Sequence, residues 1–134
     1  SNICTNAGLC ALAFSIHMTL LGGEGLARLA RINHAQARKT AAALAQVAGV
    51  EVLNGAWVNE FTVLLPRDAR EVVRELADYG VLGGVSLGRL YPNNPALHRA
   101  MLVTATETTT DQDIHALAAI LGEVLANAHE GTPT

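Results

Sequence analysis

The chain carries a single lysine, Lys39, so any Schiff-base chemistry with a carbonyl compound would depend on this residue. Such chemistry needs a lysine whose amine is desolvated or otherwise lowered in pKa. Lys39 follows Arg38 in the middle of a predicted helix, on the face away from the apolar stripe. We therefore expect a solvated side chain here, no covalent site, and no catalytic residue in the chain.

The residues that most often bind metals are scattered along the sequence. Five histidines occur, and none is paired with another at the i, i+4 spacing that places two ligands on one helix face. They are His17, His34, His98, His115 and His129. The two cysteines, Cys4 and Cys10, lie on different faces of a helix, and we expect small core side chains without a disulfide. No metal site is predicted.

Residues 83–88, with the sequence Gly-Gly-Val-Ser-Leu-Gly, form a glycine-rich stretch. A phosphate-binding loop would follow a strand and open a helix. In the predicted order of elements, no strand precedes this stretch and no helix follows it directly. We therefore predict a turn around a short strand.

The composition restricts the possible partners. The chain has 134 residues, is 50% hydrophobic and 16% charged, and has a net charge of −3 without a basic patch, which argues against nucleic-acid binding. Its apolar run at residues 7–21 is short for a membrane span, and no basic segment precedes it. We expect a buried helix in a cytoplasmic protein that does not enter the membrane.

Two helices are predicted first. Thr5 or Asn6 is expected to cap a helix over residues 7–21, Gly22 and Gly23 to break it, and a second helix to run over residues 24–47. The first helix is apolar on every side, and such a helix needs neighbours on every side. The missing part of a longer protein or a partner would supply them, and we expect the isolated chain to bury this helix in a homodimer.

The remainder predicts a β-β-α-β-β-α unit. Strands are expected at residues 50–53, 59–65, 85–87 and 101–106, with helices capped by Asp68 and by Thr110, the latter in a capping box with Asp113. Short connections favour antiparallel pairing. The fold class is therefore α+β: a small antiparallel sheet of about four strands covered by helices, preceded by two N-terminal helices. We predict one part at residues 1–48 and a second at residues 49–134.

Five stretches, in order, carry a resemblance to a known family. The first is the opening Ser1-Asn2-Ile3-Cys4-Thr5-Asn6 before the apolar helix, which also gives the impression of a piece of a longer protein. The others are Leu20-Leu21-Gly22-Gly23-Glu24-Gly25-Leu26, Asn33-His34-Ala35-Gln36-Ala37, Asn59-Glu60-Phe61-Thr62-Val63 and Val103-Thr104-Ala105-Thr106-Glu107. Together they resemble the P-protein of the glycine cleavage system, and more closely its subunit 1 in species with a split enzyme.

The resemblance implies a pyridoxal-phosphate enzyme of the aspartate-aminotransferase type of fold. That enzyme decarboxylates glycine and passes the aminomethyl group to the lipoyl arm of the H-protein. Its partners would be P-protein subunit 2, which holds the Schiff-base lysine, and the H-protein. This chain would be the C-terminal small domain of subunit 1 with the helix that joins it to a missing large domain. It would be inactive alone, with no pyridoxal phosphate bound to it.

The same resemblance places Ser1, Asn2, Thr5 and Asn6 where the chain leaves the large domain. They are the candidate cofactor-site residues, because a short polar run before a helix suits contact with an anion or substrate. Simple helix capping by Thr5 or Asn6 is the alternative, and the sequence leaves both open.

One position departs from the family's pattern. An arginine usually falls two residues after the glutamate of the Thr-Glu segment, and Thr109 stands there in this chain. A carboxylate-binding role at this point is therefore in doubt. A function of another class, a free-standing α/β interaction or ligand-sensing module, fits the same order of elements.

Overall fold

The computed structural model describes the backbone of residues 2–127 and the side chains of residues 7–127. It divides into two compact units, residues 1–32 and residues 33–134. The second unit thus begins before the boundary predicted between residues 48 and 49. The reason is burial: Ala37, Ala41 and Leu44 are at most 5% exposed and belong to the core of the second unit.

The first helix, α1, spans Asn2–Leu44 and is interrupted by non-helical backbone angles at Gly22 (φ 62°, ψ −178°). The predicted break is therefore confirmed, and it uses a φ that glycine adopts without steric cost. The predicted cap at Thr5 or Asn6 is wrong, since α1 already begins at Asn2. Neither glycine nor proline, the two residues that disfavour a helix most, occurs at residues 2–6.

The apolar part of α1 is exposed in this chain. Leu9 is 70% exposed, Phe14 64% and Leu20 81%, and Cys10 is also exposed. The prediction of a buried helix with a core thiol at Cys10 is therefore wrong for the chain, because the first unit offers this helix no neighbouring element to pack against. Cys4 lies outside the described side chains.

Length and composition alone would allow one helix to cross a membrane. This is the stretch Ala7–Leu44, whose most apolar 18-residue window has a mean hydropathy of 1.4 and is 0% buried. Core helices of soluble proteins and signal sequences have the same character. The expectation that the chain stays out of the membrane remains a prediction.

A four-stranded antiparallel sheet forms the second unit, in the order β1-β2-β4-β3. The strands are β1 (Glu51–Val52), β2 (Glu60–Leu64), β3 (Val85–Ser86) and β4 (Ala100–Thr104). Between β2 and β3 lies α2 (Ala69–Asp78), and α4 (Asp111–Asn127) follows β4. The predicted fold class and pairing are confirmed.

One face of the sheet is buried against helices. Phe61 and Val63 of β2 are 0% exposed, and they pair with Val103 and Met101 of β4, which are at most 2% exposed. Alternate strand residues point to the same face, so these four side chains lie together. Residues from α2, α4 and the end of α1 complete the core: Leu44, Val72, Leu76, Leu117, Leu121, Val124 and Leu125.

The ends of α2 follow local rules. The side chain of Asp68 accepts a hydrogen bond from the N–H of Arg70 at 2.7 Å, which caps the start of the helix as predicted. Gly80, with φ 77°, ends it, and the N–H of Val81 donates back to the carbonyl of Leu76 at 2.9 Å. The predicted fold-back of Val81 is therefore confirmed.

A capping box opens α4. The N–H of Thr110 donates to Asp113 Oδ2 at 2.8 Å, and the N–H of Asp113 donates to Thr110 Oγ1 at 3.1 Å. The Thr110 hydroxyl also donates to Asp113 Oδ2 at 2.7 Å. These hydrogen bonds, first that from the hydroxyl and then that from the backbone, lower the pKa of the Asp113 carboxyl.

The replacement Asp113→Asn is expected to lower the unfolding temperature at pH 7, with a deficit that shrinks as the pH falls. The folded-state pKa of Asp113 is depressed, so its contribution is complete above the unfolded-state pKa of about 3.9 and is lost as the pH falls through the lower folded-state value. Thermal melts between pH 7 and pH 2.5 measure this. Gln112→Ala, at a neighbouring uncharged position, is the control, and a deficit for Asp113→Asn that stays constant with pH would contradict the prediction.

The connection from β3 to β4 contains two short helices that the sequence did not predict. They are α3 (Leu87–Leu90) and a 3₁₀ turn (Pro95–Leu97), whose first turn is capped by Asn94 through Ala96 N–H at 3.2 Å. The short strand predicted within residues 83–88 is found as β3, with Gly83 and Gly84 before it. The predicted turn after it is wrong, since Leu87 and Gly88 begin α3.

Candidate functional site

The residues predicted to approach a cofactor cleft fall outside what the structure describes. Ser1 has no described backbone, and the side chains of Asn2, Thr5 and Asn6 are likewise outside the described set. Their role as cofactor-site candidates stays a prediction. The described candidate site is instead built from the sequence motifs in the second unit.

Lys39 lies on the solvated face predicted for it. Its Nζ is 2.8 Å from Asp111 Oδ1, and the two side chains are 55% and 64% exposed. The pKa of the Asp111 carboxyl is lowered, chiefly by this hydrogen bond and then by the charge of Lys39. An ammonium group that pairs with a carboxylate in solvent does not meet the requirement for a desolvated amine. The only lysine of the chain therefore does not fit the aldimine lysine of pyridoxal phosphate.

Three family-like motifs meet in space, and we name this region the motif junction: Asn33, His34 and Gln36 of α1 with the segments at residues 57–59 and 106–109. Asn33 Oδ1 accepts from the N–H of Glu107 at 2.6 Å, and Gln36 Nε2 donates to the carbonyl of Thr109. Both bonds join α1 to the loop after β4. Residues three apart on a helix share one face, which explains why Asn33 and Gln36 reach the same loop.

His34 connects α1 to a different loop. Its Nδ1 lies 2.8 Å from the carbonyl of Val58, just before the Asn59-Glu60-Phe61 motif. An N–H on Nδ1 is the only hydrogen-bonding match for that carbonyl, which leaves Nε2 as an acceptor in the neutral ring. The motif that begins at Asn33 therefore contacts the loop before β2 and the loop after β4, which lie at the same end of the two central strands.

A recess of about 490 Å³ adjoins His34. It is lined by His34, Arg38, Gly55, Ala56 and Trp57. The Trp57 ring packs on Phe61 with centroids 5.6 Å apart, and its Nε1–H is buried without a partner among the described residues. The lining thus contributes the fixed positive charge of Arg38 and the acceptor Nε2 of His34, while the Trp57 N–H is buried. The i, i+4 spacing of His34 and Arg38 is the feature of the sequence that could have indicated this recess. No feature of the sequence indicates that the Trp57 indole lacks a hydrogen-bond partner.

Thr109, where the resemblance led us to expect an arginine, has a structural role here. Its Oγ1 accepts from the N–H of Thr106 at 3.0 Å, and its own N–H donates to the carbonyl of Thr106 at 3.0 Å. The side chain closes the loop on itself. A threonine so engaged offers no charge to a substrate carboxylate, so the described site holds loops in place and lacks a carboxylate anchor at this position.

The charged group of Arg67 has a structural role. Arg67 donates to both carboxylate oxygens of Glu75, at 3.0 Å for one of them, and lies 3.4 Å from Glu71. The hydrogen bond from Glu75 raises the pKa of Arg67 above its usual value. Within residues 7–127, no three histidine, cysteine or acidic side chains are grouped to hold a metal ion. The contacts with Glu71 and Glu75 hold the Arg67 side chain against α2.

A family model described as "Glycine cleavage system P-protein" matches residues 1–121. A protein of Novosphingobium aromaticivorans named "Probable glycine dehydrogenase (decarboxylating) subunit 1" is 71% identical over 126 residues. A protein of Rhizorhabdus wittichii with the same name is 62% identical over 126 residues. Each alignment covers 94% of this chain and 28% of the relative, so the chain spans less than a third of these curated relatives.

Solved structures agree with these relatives. A crystal structure of glycine decarboxylase (P-protein) of the glycine cleavage system, in inhibitor-bound form, superposes with a TM-score of 0.82 at 37% identity, over 93% of this chain and 28% of that one. LysN, an α-aminoadipate aminotransferase from Thermus thermophilus, gives a TM-score of 0.66 at 18% identity, over 86% of this chain and 30% of that one. The second likeness concerns the fold alone.

Proposed function

Because the chain belongs to the glycine cleavage system P-protein family, we propose that it is the small domain of a glycine dehydrogenase (decarboxylating) subunit 1. The reaction of the complete enzyme would release the carboxyl group of glycine as CO₂ and transfer the aminomethyl group to the oxidised lipoyl arm of an H-protein. The observation that carries this proposal is the 71% identity over 94% of the chain.

The cofactor of the complete enzyme would be pyridoxal phosphate, which supplies an electron sink for the bond to the departing carboxylate. The residues of this chain do not fit its aldimine lysine, because Lys39 is exposed and paired with Asp111. As the family resemblance implies, we place the cofactor lysine in P-protein subunit 2. This chain would contribute the motif junction, in which α1 holds the loop before β2 and the loop after β4 in place.

A trapping experiment tests whether the chain alone forms a Schiff base with pyridoxal phosphate. The 134-residue chain is mixed with pyridoxal phosphate, reduced with borohydride and digested for mass spectrometry. We expect no pyridoxyl group on Lys39, because its ammonium is solvated and ion-paired. The variant Lys39→Arg reports any reaction of the amino terminus. A pyridoxyl adduct on Lys39 at stoichiometric yield would contradict the proposal.

The proposal extends to how the isolated chain associates. The exposed apolar residues of α1 form a surface that a second copy would cover, giving a homodimer. Light scattering of the chain should give twice the monomer mass, and Leu9→Gln with Leu20→Gln should shift it towards monomer. Leu82→Gln, at a residue that is 93% exposed, is the matched control. A clean monomer of the unaltered chain at high concentration would count against self-association.

We also propose a cytoplasmic location for the complete subunit. Cell fractionation tests it, with recovery in the soluble fraction as the expected result. Recovery with membranes would contradict it and would direct attention to the Ala7–Leu44 stretch.

A further inference from the structure

Three arginines surround a cavity of about 540 Å³ beside the edge strand β3. Arg70 and Arg74 lie on α2, and Arg89 lies on α3. Gly84, Val85 and Ser86 form the part of the wall that comes from β3 and the turn before it. Helix α2 and the contiguous segment of β3 and α3 therefore bring three arginine residues to one cavity.

None of the three guanidinium groups has a carboxylate partner among the described residues. The described ion pairs of the chain involve Lys39 and Arg67 only. Arg70 has one hydrogen bond, from its NH2 to the carbonyl of Gly88 at 3.4 Å. The nearby carboxylates of Glu71 and Glu75 are engaged with Arg67. The cavity thus gathers positive charge in a chain whose net charge is −3.

A second observation at this cavity is independent of the arginines. Ser86 is only 3% exposed, and its Oγ is buried without a hydrogen-bond partner among the described residues. Buried hydroxyl groups are nearly always hydrogen-bonded in native proteins, so an unsatisfied one calls for a missing partner. Ser86 lines the cavity, and rotation of its side chain would bring the buried hydroxyl to an acceptor bound there.

We propose that this cavity binds the phosphate group of a small molecule, through Arg70, Arg74 and Arg89 with the Ser86 hydroxyl as a further donor. A phosphate group carries close to two negative charges and three strong acceptor oxygens near neutral pH. Guanidinium groups match it in charge and in their forked donor geometry. A single carboxylate would leave most of these donors unused. The site uses none of the residues on which the proposed function rests.

Titration of the 134-residue chain with inorganic phosphate, followed through the arginine Nε–H signals in NMR spectra, tests the proposal. We expect saturable shifts and weaker binding at higher ionic strength. Arg74→Gln combined with Arg89→Gln should weaken binding by about tenfold or more. Ser86→Ala should weaken it by about twofold to tenfold while the chain stays folded.

The matched control is Arg28→Gln combined with Arg31→Gln, which changes the net charge equally at two exposed arginines of α1. Equal weakening by the control and the cavity variants would overturn the proposal, as would the absence of saturation. Glycerol 3-phosphate distinguishes the source: tighter binding than inorganic phosphate identifies a phosphorylated metabolite, and weaker binding identifies free phosphate. Acetate that binds as well as phosphate would overturn the assignment to a phosphate group.

Discussion

Replacing Leu44 with alanine is expected to lower the free energy of unfolding of the chain by about 2–5 kcal/mol. Leu44 is 0% exposed and is one of the largest fully buried side chains in the described residues. Its removal deletes apolar contacts and leaves a cavity that neighbouring core residues cannot fill without strain. Urea unfolding followed by circular dichroism measures the change.

The matched control is Leu20→Ala, in the same helix. Leu20 is 81% exposed, and its replacement should change the unfolding free energy by no more than about 0.5 kcal/mol in dilute solution where the chain is monomeric. The pair tests whether the end of α1 belongs to the second unit. Equal small effects of both replacements would show that Leu44 does not lie in the core.

The second large effect is expected from Gly84→Ala. Gly84 has φ 154°, and a Cβ built there would lie 2.4 Å from the carbonyl oxygen of Leu102 in β4 and 3.0 Å from Met101 Cγ. The backbone conformation alone costs a residue with a Cβ about 1–3 kcal/mol, and the clash adds to it. We expect a loss of unfolding free energy on that order or greater, because β3 must move away from β4.

Gly55→Ala is the matched control for this replacement. A Cβ at Gly55 would meet nothing within 4 Å, and Gly55 is not among the glycines with positive φ. The control should unfold within about 0.5 kcal/mol of the unaltered chain. An equally stable Gly84→Ala chain would mean that β3 does not approach β4 as closely as the structure has it.

The sequence predicted most of the sheet domain because its signals are local. Alternation placed Phe61, Val63 and Leu65 on one face, and all three are at most 1% exposed. Capping chemistry at Asp68 and Thr110 placed the starts of α2 and α4. The glycine at Gly22 gave the interruption of α1. Each of these features depends on a few neighbouring residues.

The features that the sequence did not predict depend on distant contacts. Nothing local indicates that Ala37, Ala41 and Leu44 join the core of the sheet unit while most of the equally apolar residues 7–21 stay exposed. The motif junction could not be predicted from the sequence either, because Asn33 and Glu107 come into contact only after the chain has folded. The same holds for the cavity of three arginines, whose members come from two separate helices.

The proposed division of labour, in which this chain supplies a small domain and other parts of the enzyme supply the cofactor lysine, can be tested by one measurement. Carboxyl-labelled glycine is incubated with pyridoxal phosphate and H-protein carrying oxidised lipoyl groups, and released CO₂ is counted. We predict release by complete subunit 1 with subunit 2, and none when this 134-residue chain replaces complete subunit 1. Comparable release when the chain replaces complete subunit 1 would contradict the account.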